Sequence, residues 1–465
     1  MTVSSPGLGL VASGGDSLRG VALLLSRAAV LAALIVVAWH LGAWTFLPGI
    51  DVPSVPHDYL GRSIRPAEVL AIVAAFSLAL AGPPRSSRLR GASGAFALFA
   101  LSLAALAVAS SLWALYPVLA TIKGLHLMIW TAFALVVARA RVPPHHMATA
   151  FVLGLLIHAA IVLGQVAIQN PLGLTALGEM RNRPEAPWAT VAADPFAADP
   201  QHFVRAYGLS PHPNVLGGHL AIGLILCWGL AVDRRPIARA GVVAAWAVLF
   251  AVLLFTFSRA AFFAAVMGMI VAALWQRRVG LLPHAAARLA SGLAAIAAVA
   301  LLLFVAIFYQ YVAGRIRTVY APLDARRGLI DAALQVIAAH PLGGVGAGNF
   351  SAATRAVSSN GTALDAVHNV PLLIGAELGL AGLAVAGGAA AILAVVGFRR
   401  WRARSVHPWH GLIAGSLTAL ALAGLFDHYP WSVPQGGLLG AWLAGWWLAA
   451  DAVNGPHDSA PVRNV

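Results

Sequence analysis

Long apolar runs separated by short polar ones dominate this chain, and the apolar runs have the length of a membrane crossing. About 17–25 apolar residues are needed to cover ~30 Å of hydrocarbon as a helix. Windows of roughly this kind fall at 21–41, 66–82, 93–115, 117–138, 147–169, 214–232, 240–257, 260–275, 289–309, 369–398, 411–428 and 436–452. They predict an all-α polytopic membrane protein of about 12 transmembrane helices, a single integral membrane domain over residues 1–465 with both termini on one side.

The polar positions give the orientation. Arg85, Arg88 and Arg90, then Arg139 and Arg141, then Arg234, Arg235 and Arg239, then Arg277, Arg278 and Arg288, and finally Arg399, Arg400, Arg402 and Arg404 occupy every second connection, each of them short. Short arginine-rich loops stay in the cytoplasm, so the longer connections Asp51–Arg65, Pro171–Pro213 and Gln310–His368 are expected to face outward.

Composition agrees. With 60% hydrophobic residues, 10% charged and a mean hydropathy of +0.83, the chain departs from soluble domains, where about a quarter of residues are charged. A net charge of +14 in a soluble chain would suggest nucleic acid. Here much of it sits in short loops beside lipid, where headgroups and orientation account for it, so membrane lipids are the expected partner and nucleic acid is not. Cys227 is the one cysteine and lies in an apolar run, which excludes a disulfide or thiolate metal site. The first apolar run lacks a small-residue cleavage site and reads as a retained anchor.

Candidate chemistry gathers in the outward connections. Arg181, Arg183, Arg205, Arg315, Arg317, Arg326, Arg327 and Arg355 lie there, and Thr256-Phe-Ser-Arg259 places a cation at the end of an apolar helix, where an unpaired charge is costly. Arginine offers a rigid fork of donors matched to phosphate, so an anionic ligand at the membrane surface is expected. The alternative is pairing with lipid headgroups or with Glu179, Glu185, Asp194, Asp199, Asp324, Asp331 and Asp365. These acids form no Asp-x-Asp pair, and no His-x-x-x-His spacing accompanies them, so metal-independent chemistry without a cofactor is expected.

The run Gly343–Gly348 lacks the Lys-Ser/Thr of a nucleotide loop and reads as a tight turn. His368 stands at the mouth of the next helix, with Asn369 as its expected cap and Pro371 in its first turn. The positive end of a helix dipole favours neutral imidazole, whose reference pKa of ~6.5 lets it take a proton. His126, His158 and His219, inside apolar spans, read as structural. Gly375, Gly379 and Gly382 share a helical face suited to close approach by another helix. Glu377 lies at mid-helix depth and requires a partner. Asp427 and His428, at the outer end of the next-to-last span, read as assisting groups or as a cap.

Together these segments resemble the O-antigen ligase and polymerase superfamily of bacterial inner-membrane proteins. The resemblance rests on Arg205-Ala-Tyr-Gly208 with His212-Pro213-Asn214; on Ser258-Arg259; on Arg326 followed by Ala333-Leu334 and His340-Pro341-Leu342-Gly343-Gly344-Val345-Gly346; and on His368-Asn369 with Gly379 and Gly382. It covers roughly residues 200–430. Leu383 and Ile330 depart from the family's usual residues, and Leu383 bears on ligase against polymerase.

The resemblance implies a GT-C-like fold with a long, partly helical periplasmic loop between spans nine and ten, loops 171–213 and 310–368 forming the catalytic face. The implied activity is that of an O-antigen ligase, moving glycan from undecaprenyl pyrophosphate to a hydroxyl of lipid A-core in lipopolysaccharide biosynthesis. The transfer would be inverting, with His368 as base and Arg205, Arg259 and Arg326 on the donor pyrophosphate. An O-antigen polymerase, a protein O-oligosaccharyltransferase of the same superfamily and a lipid-linked glycan flippase are the alternatives. A flippase should line a path through the bilayer with charge, and Lys123 and Glu377 alone make a poor path.

Overall fold

The computed structural model describes residues 14–41, 64–82, 91–180, 190–194, 197, 201–232, 236–280, 284–317, 320–354, 365–404 and 407–449. The helices preceding the first strand are α1 (Gly14–Val36), α2 (Pro66–Ala81), α3 (Ala92–Ala109), α4 (Pro117–Arg139) and α5 (Pro144–Ile168). Strands β1 (Thr190–Ala192) and β2 (His202–Val204) follow. Then come α6 (Pro213–Val232), α7 (Pro236–Phe255), α8 (Arg259–Arg278), α9 (His284–Ile307), α10 (Tyr309–Arg317) and α11 (Tyr320–Ala339). The chain continues through α12 (Phe350–Ala353), α13 (Val370–Arg402), α14 (Pro408–Phe426), α15 (Tyr429–Ser432) and α16 (Pro434–Ala449).

This is a multi-pass, all-α membrane protein. Ten of the described helices are long and apolar enough to cross a bilayer. The window at 66–82 is occupied by α2, whose 16 residues cover about 24 Å at 1.5 Å per residue and fall short of the hydrocarbon thickness, and α16 occupies the described part of the window at 436–452. The twelve expected segments are thus all helical, ten of them full-length. Arg85, Arg88, Arg90, Arg181, Arg183, Arg234, Arg235, Arg355, Glu185 and Asp199 lie outside the described residues, as does most of Asp51–Arg65.

Local sequence explains the helix starts. Proline opens α2, α4, α5 and α14, where its missing N–H costs nothing. Ser258 caps α8 by accepting from the Ala261 N–H. Asn369 caps α13, its Oδ1 accepting from the Leu372 N–H at 3.0 Å, as its position predicted. Helix α6 is almost wholly buried and forms the centre, packed by α5, α7, α8 and α14. On the periphery, α9 turns Leu302, Leu303 and Ile307 outward, a surface only lipid can cover.

Helix α13 departs from its expected form. Gly379 has φ 64° and ψ −162°, a break within the helix, and the turn after α11 is inserted there. A Cβ on Gly379 would come within 2.3 Å of the Leu342 carbonyl oxygen. The shared glycine face is therefore not a helix-packing stripe. Gly375 meets Ile337 of α11, Gly379 receives the turn, and Gly382 faces Leu378 and Ile374 of its own helix.

Candidate functional site

One end of the bundle gathers the candidate residues. The β1–β2 hairpin pairs Thr190 with Val204 and packs against α10, which brings Arg205 and Arg315 to the link between α7 and α8. In that link Phe257 adopts φ 49°, tightening the turn, and Ala206 N–H donates to the Phe255 carbonyl at 2.9 Å. Arg205 is buried, with Nε donating to the Thr256 carbonyl at 2.9 Å and the guanidinium to Asn214 Oδ1 at 3.0 Å. Arg259 is the first residue of α8. A cation there opposes the helix macrodipole, which favours an anion at that end.

From Arg205 a polar chain runs to the histidines. Asn214 Nδ2 donates to Asp427 Oδ2 at 2.7 Å, the His428 N–H donates to Asp427 Oδ1 at 2.8 Å, and His428 Nδ1 lies 2.6 Å from Ser432 Oγ. The His428 ring meets His368 edge-to-face with centroids 5.0 Å apart. His368 Nδ1 is buried with no hydrogen-bond partner among the described residues. Asn369 Nδ2 donates to the Leu425 carbonyl at 3.1 Å, tying the start of α13 to the end of α14. That tie holds residues 368 and 428 together.

The electrostatics couple the same groups. Burial lowers Arg205 below its ordinary value and the fields of Arg315 and Arg259 add to this, with Asp427 opposing. Burial likewise lowers Arg315, assisted by Arg259 and Arg326. Four arginines therefore feel one another, a charge density that an anion would relieve. Burial and the Arg205 cation push His212 down to about 3. Burial alone would raise Asp427, but His428, His368, His212 and the Asn214 amide outweigh it and hold it below its ordinary value. Burial lowers His428, with Asp427 opposing.

Between α7, α8, α9 and α10 lies a groove of about 260 Å³ whose lining includes Leu253, Leu254, Phe257 and Phe304 together with Arg259 and Arg315. It pairs an apolar channel with two cations, the complement of a lipid with an anionic head.

His368, Asp427 and His428 each offer a ligand atom within 4.8 Å of the others, so this set could hold a divalent ion. Spacing in the sequence misses it, because residues 368 and 427 approach only through tertiary packing. Both Asp427 oxygens and His428 Nδ1 already have hydrogen-bond partners.

Each of His368, Arg205, Arg259 and Arg326 is at this end, the last through its fields on Arg259, Arg315 and His428. Arg315, Asn214, Asp427 and His428 join them. Arg315 is one of many outward arginines, and only the fold separates it from the rest. Asn214 stood in a recognised triplet without a role.

Residues 242–387 match the family model described as O-antigen ligase. The match contains Arg259, Arg315, Arg326 and His368, while Arg205, Asn214, Asp427 and His428 come from flanking chain. None of the curated proteins gives a significant match.

Proposed function

Through residues 242–387 the chain belongs to the O-antigen ligase superfamily, and from that premise we propose that it transfers O-antigen glycan from undecaprenyl pyrophosphate to a hydroxyl of lipid A-core. The reaction takes place at the periplasmic face of the bacterial inner membrane, with both termini cytoplasmic. The observation that carries this reading is the meeting of His368 with His428 beside the mutual fields of Arg205, Arg259, Arg315 and Arg326, two of which, Arg259 and Arg315, line an apolar groove.

The chemistry follows from the groups present. No nucleoside triphosphate is needed, because the glycosyl–diphosphate bond carries the energy. His368 takes the proton of the acceptor hydroxyl as its oxygen attacks the anomeric carbon, and the bond to the diphosphate oxygen breaks with its electron pair leaving on the diphosphate. Arg259, Arg315 and Arg326 stabilise that charge as it grows, and direct displacement inverts the anomeric centre. Arg205, two of whose donors are engaged within the protein, contributes field and links the diphosphate to Asn214 and Asp427. The groove takes the first isoprene units of the donor, and the rest of its tail lies in the bilayer. The step is proposed as metal-independent, since both Asp427 oxygens and His428 Nδ1 already have partners in Asn214, the His428 N–H and Ser432.

Purified protein incubated with the lipid-linked glycan and lipid A-core, its products resolved by gel, tests the assignment. A ladder attached to lipid A-core that survives a chelator is expected. Longer chains still on the donor lipid would make the protein a polymerase, and no change in either lipid would overturn the glycosyl-transfer reading.

A further inference from the structure

Beneath the site the membrane interior holds ionisable groups that the transfer step does not use. Glu377 and Lys123 are both buried, on α13 and α4. His368 stands just before α13, and Glu377 lies seven residues into that helix from Val370, about 10 Å along its axis at 1.5 Å per residue. Intramembrane charge is expensive and points to a role.

The partners of Glu377 come from three other elements. Its carboxylate accepts the Trp431 indole N–H at 2.8 Å and the Gly348 backbone N–H, and it attracts the Lys123 ammonium. Lys123 in turn donates to the Trp431 carbonyl oxygen, with its ammonium 4.3 Å from the centroid of the Trp431 ring and 5.0 Å from that of Trp130. Trp130 and His126, on the same helix as Lys123, are held by Glu68 of α2 at 2.9 and 2.5 Å.

The backbone joins in. The break at Gly379 leaves carbonyls without helical partners, and the turn supplies them: Gly346 N–H donates to the Glu377 carbonyl at 2.8 Å and Val345 N–H to that of Ala376 at 3.0 Å. Asn349 Oδ1, at the end of that turn, accepts the Tyr116 N–H at 2.7 Å at the start of α4.

Trp431 is three residues beyond His428, in the corner α15 that also presents Asp427. One carboxylate thus grips the helix bearing His368, the turn leading from the helix bearing Arg326, and the corner bearing Asp427 and His428. We infer that Glu377, balanced by Lys123, is a positioning hub that sets the distance between His368 and the Asp427–His428 corner. Neither residue touches substrate. The kinetic part of this inference rests on the glycosyl-transfer reading, whereas the structural part does not.

Two charge-neutral double variants isolate the hub. Glu377→Gln with Lys123→Met keeps an acceptor for Trp431 and Gly348, removes the charge of both members of the pair and leaves Glu68 in place. Glu377→Leu with Lys123→Met is equally neutral but lacks the acceptor. Hydrogen exchange of the purified proteins should be faster in 343–350 and 427–433 for the leucine variant and close to wild type for the glutamine variant. In the transfer assay the leucine variant should lose about 10²-fold in kcat, the scale of an ångström's misplacement. Its donor KM should stay within about twofold of wild type, since the donor-facing arginines are untouched, and the glutamine variant should retain near-normal kcat. If the two variants exchange alike in both segments, the hub is overturned whatever the reaction. A wild-type protein inactive in the transfer assay would overturn the glycosyl-transfer reading alone, leaving the exchange result to decide the hub.

Discussion

At the scale of single residues, His368 and the arginines make different predictions. Removing a general base costs ~10²–10⁴-fold, while Arg259→Lys keeps the charge but loses the two-pronged fit to a diphosphate. Arg259→Lys should therefore weaken donor-lipid binding and not match wild type in rate. Equal affinity and rate would return Arg259 to a structural role. Histidines near the arginines also make stability depend on pH. His212 is held at about 3 against ~6.5 when unfolded, so its contribution is fully present above ~6.5 and is lost as pH falls toward 3. His428, also lowered, acts in the same sense, and Asp427 is lost only below the ordinary carboxylate range. Thermal unfolding in detergent should show a melting temperature that declines between pH 6.5 and 4, and His212→Gln should flatten that decline. An unchanged profile in the variant would count against a buried neutral His212.

The residue scale is also where the sequence was least complete. His368, Arg205, Arg259 and Arg326 could be found from position and charge, because histidine at a helix mouth and arginine at the end of an apolar run are locally anomalous. Arg315 could not be told from Arg317, since both sit on one short amphipathic helix, and of the two Arg315 lines the groove. Asp427 and His428 could be placed at a helix end but not opposite His368, because a 59-residue separation carries no pairing information.

At the scale of elements, the insertion of the 341–348 turn into the break of α13 is the least expected feature. Helix periodicity carries no sign of it, because glycine at 379 fits an unbroken helix as well as a left-handed one, and the glycines of the turn read as an ordinary loop. The geometry is demanding. Gly344 has φ 63°, and a Cβ there would lie 2.3 Å from the Glu377 carbonyl carbon. Gly344→Ala should therefore cost more than the ~1–3 kcal/mol of an unfavourable backbone region alone, read as a lower melting temperature, whereas Gly241→Ala, inside α7 with open space around it, should leave the melting temperature unchanged or raise it. Equal effects at the two sites would refute a seated turn. The expected Asn369 cap did form, since capping depends only on neighbours in sequence.

At the scale of the whole molecule, hydropathy located all ten of the described helices that are long enough to span a bilayer, because each span must satisfy its own backbone hydrogen bonds in lipid. What hydropathy cannot see is which helices touch. The burial of α6 at the centre and the exposure of α9 at the edge follow from packing, not from how apolar each helix is. Orientation came from arginine asymmetry and can be measured directly. In a Cys227→Ala background, Gln201→Cys, exposed in the connection 171–213, should react with a membrane-impermeant maleimide on intact cells and Arg404→Cys only after lysis. The reverse pattern would turn the site toward the cytosol and remove access to a flipped donor.

The account rests on one imidazole acting beside a cluster of cations on a lipid diphosphate. The most direct measurement compares wild type and His368→Ala for donor-lipid binding and for glycan transfer under the same conditions. Donor affinity within about twofold of wild type, with transfer slowed ~10²–10⁴-fold, is the predicted result. Transfer by His368→Ala at the wild-type rate would contradict it.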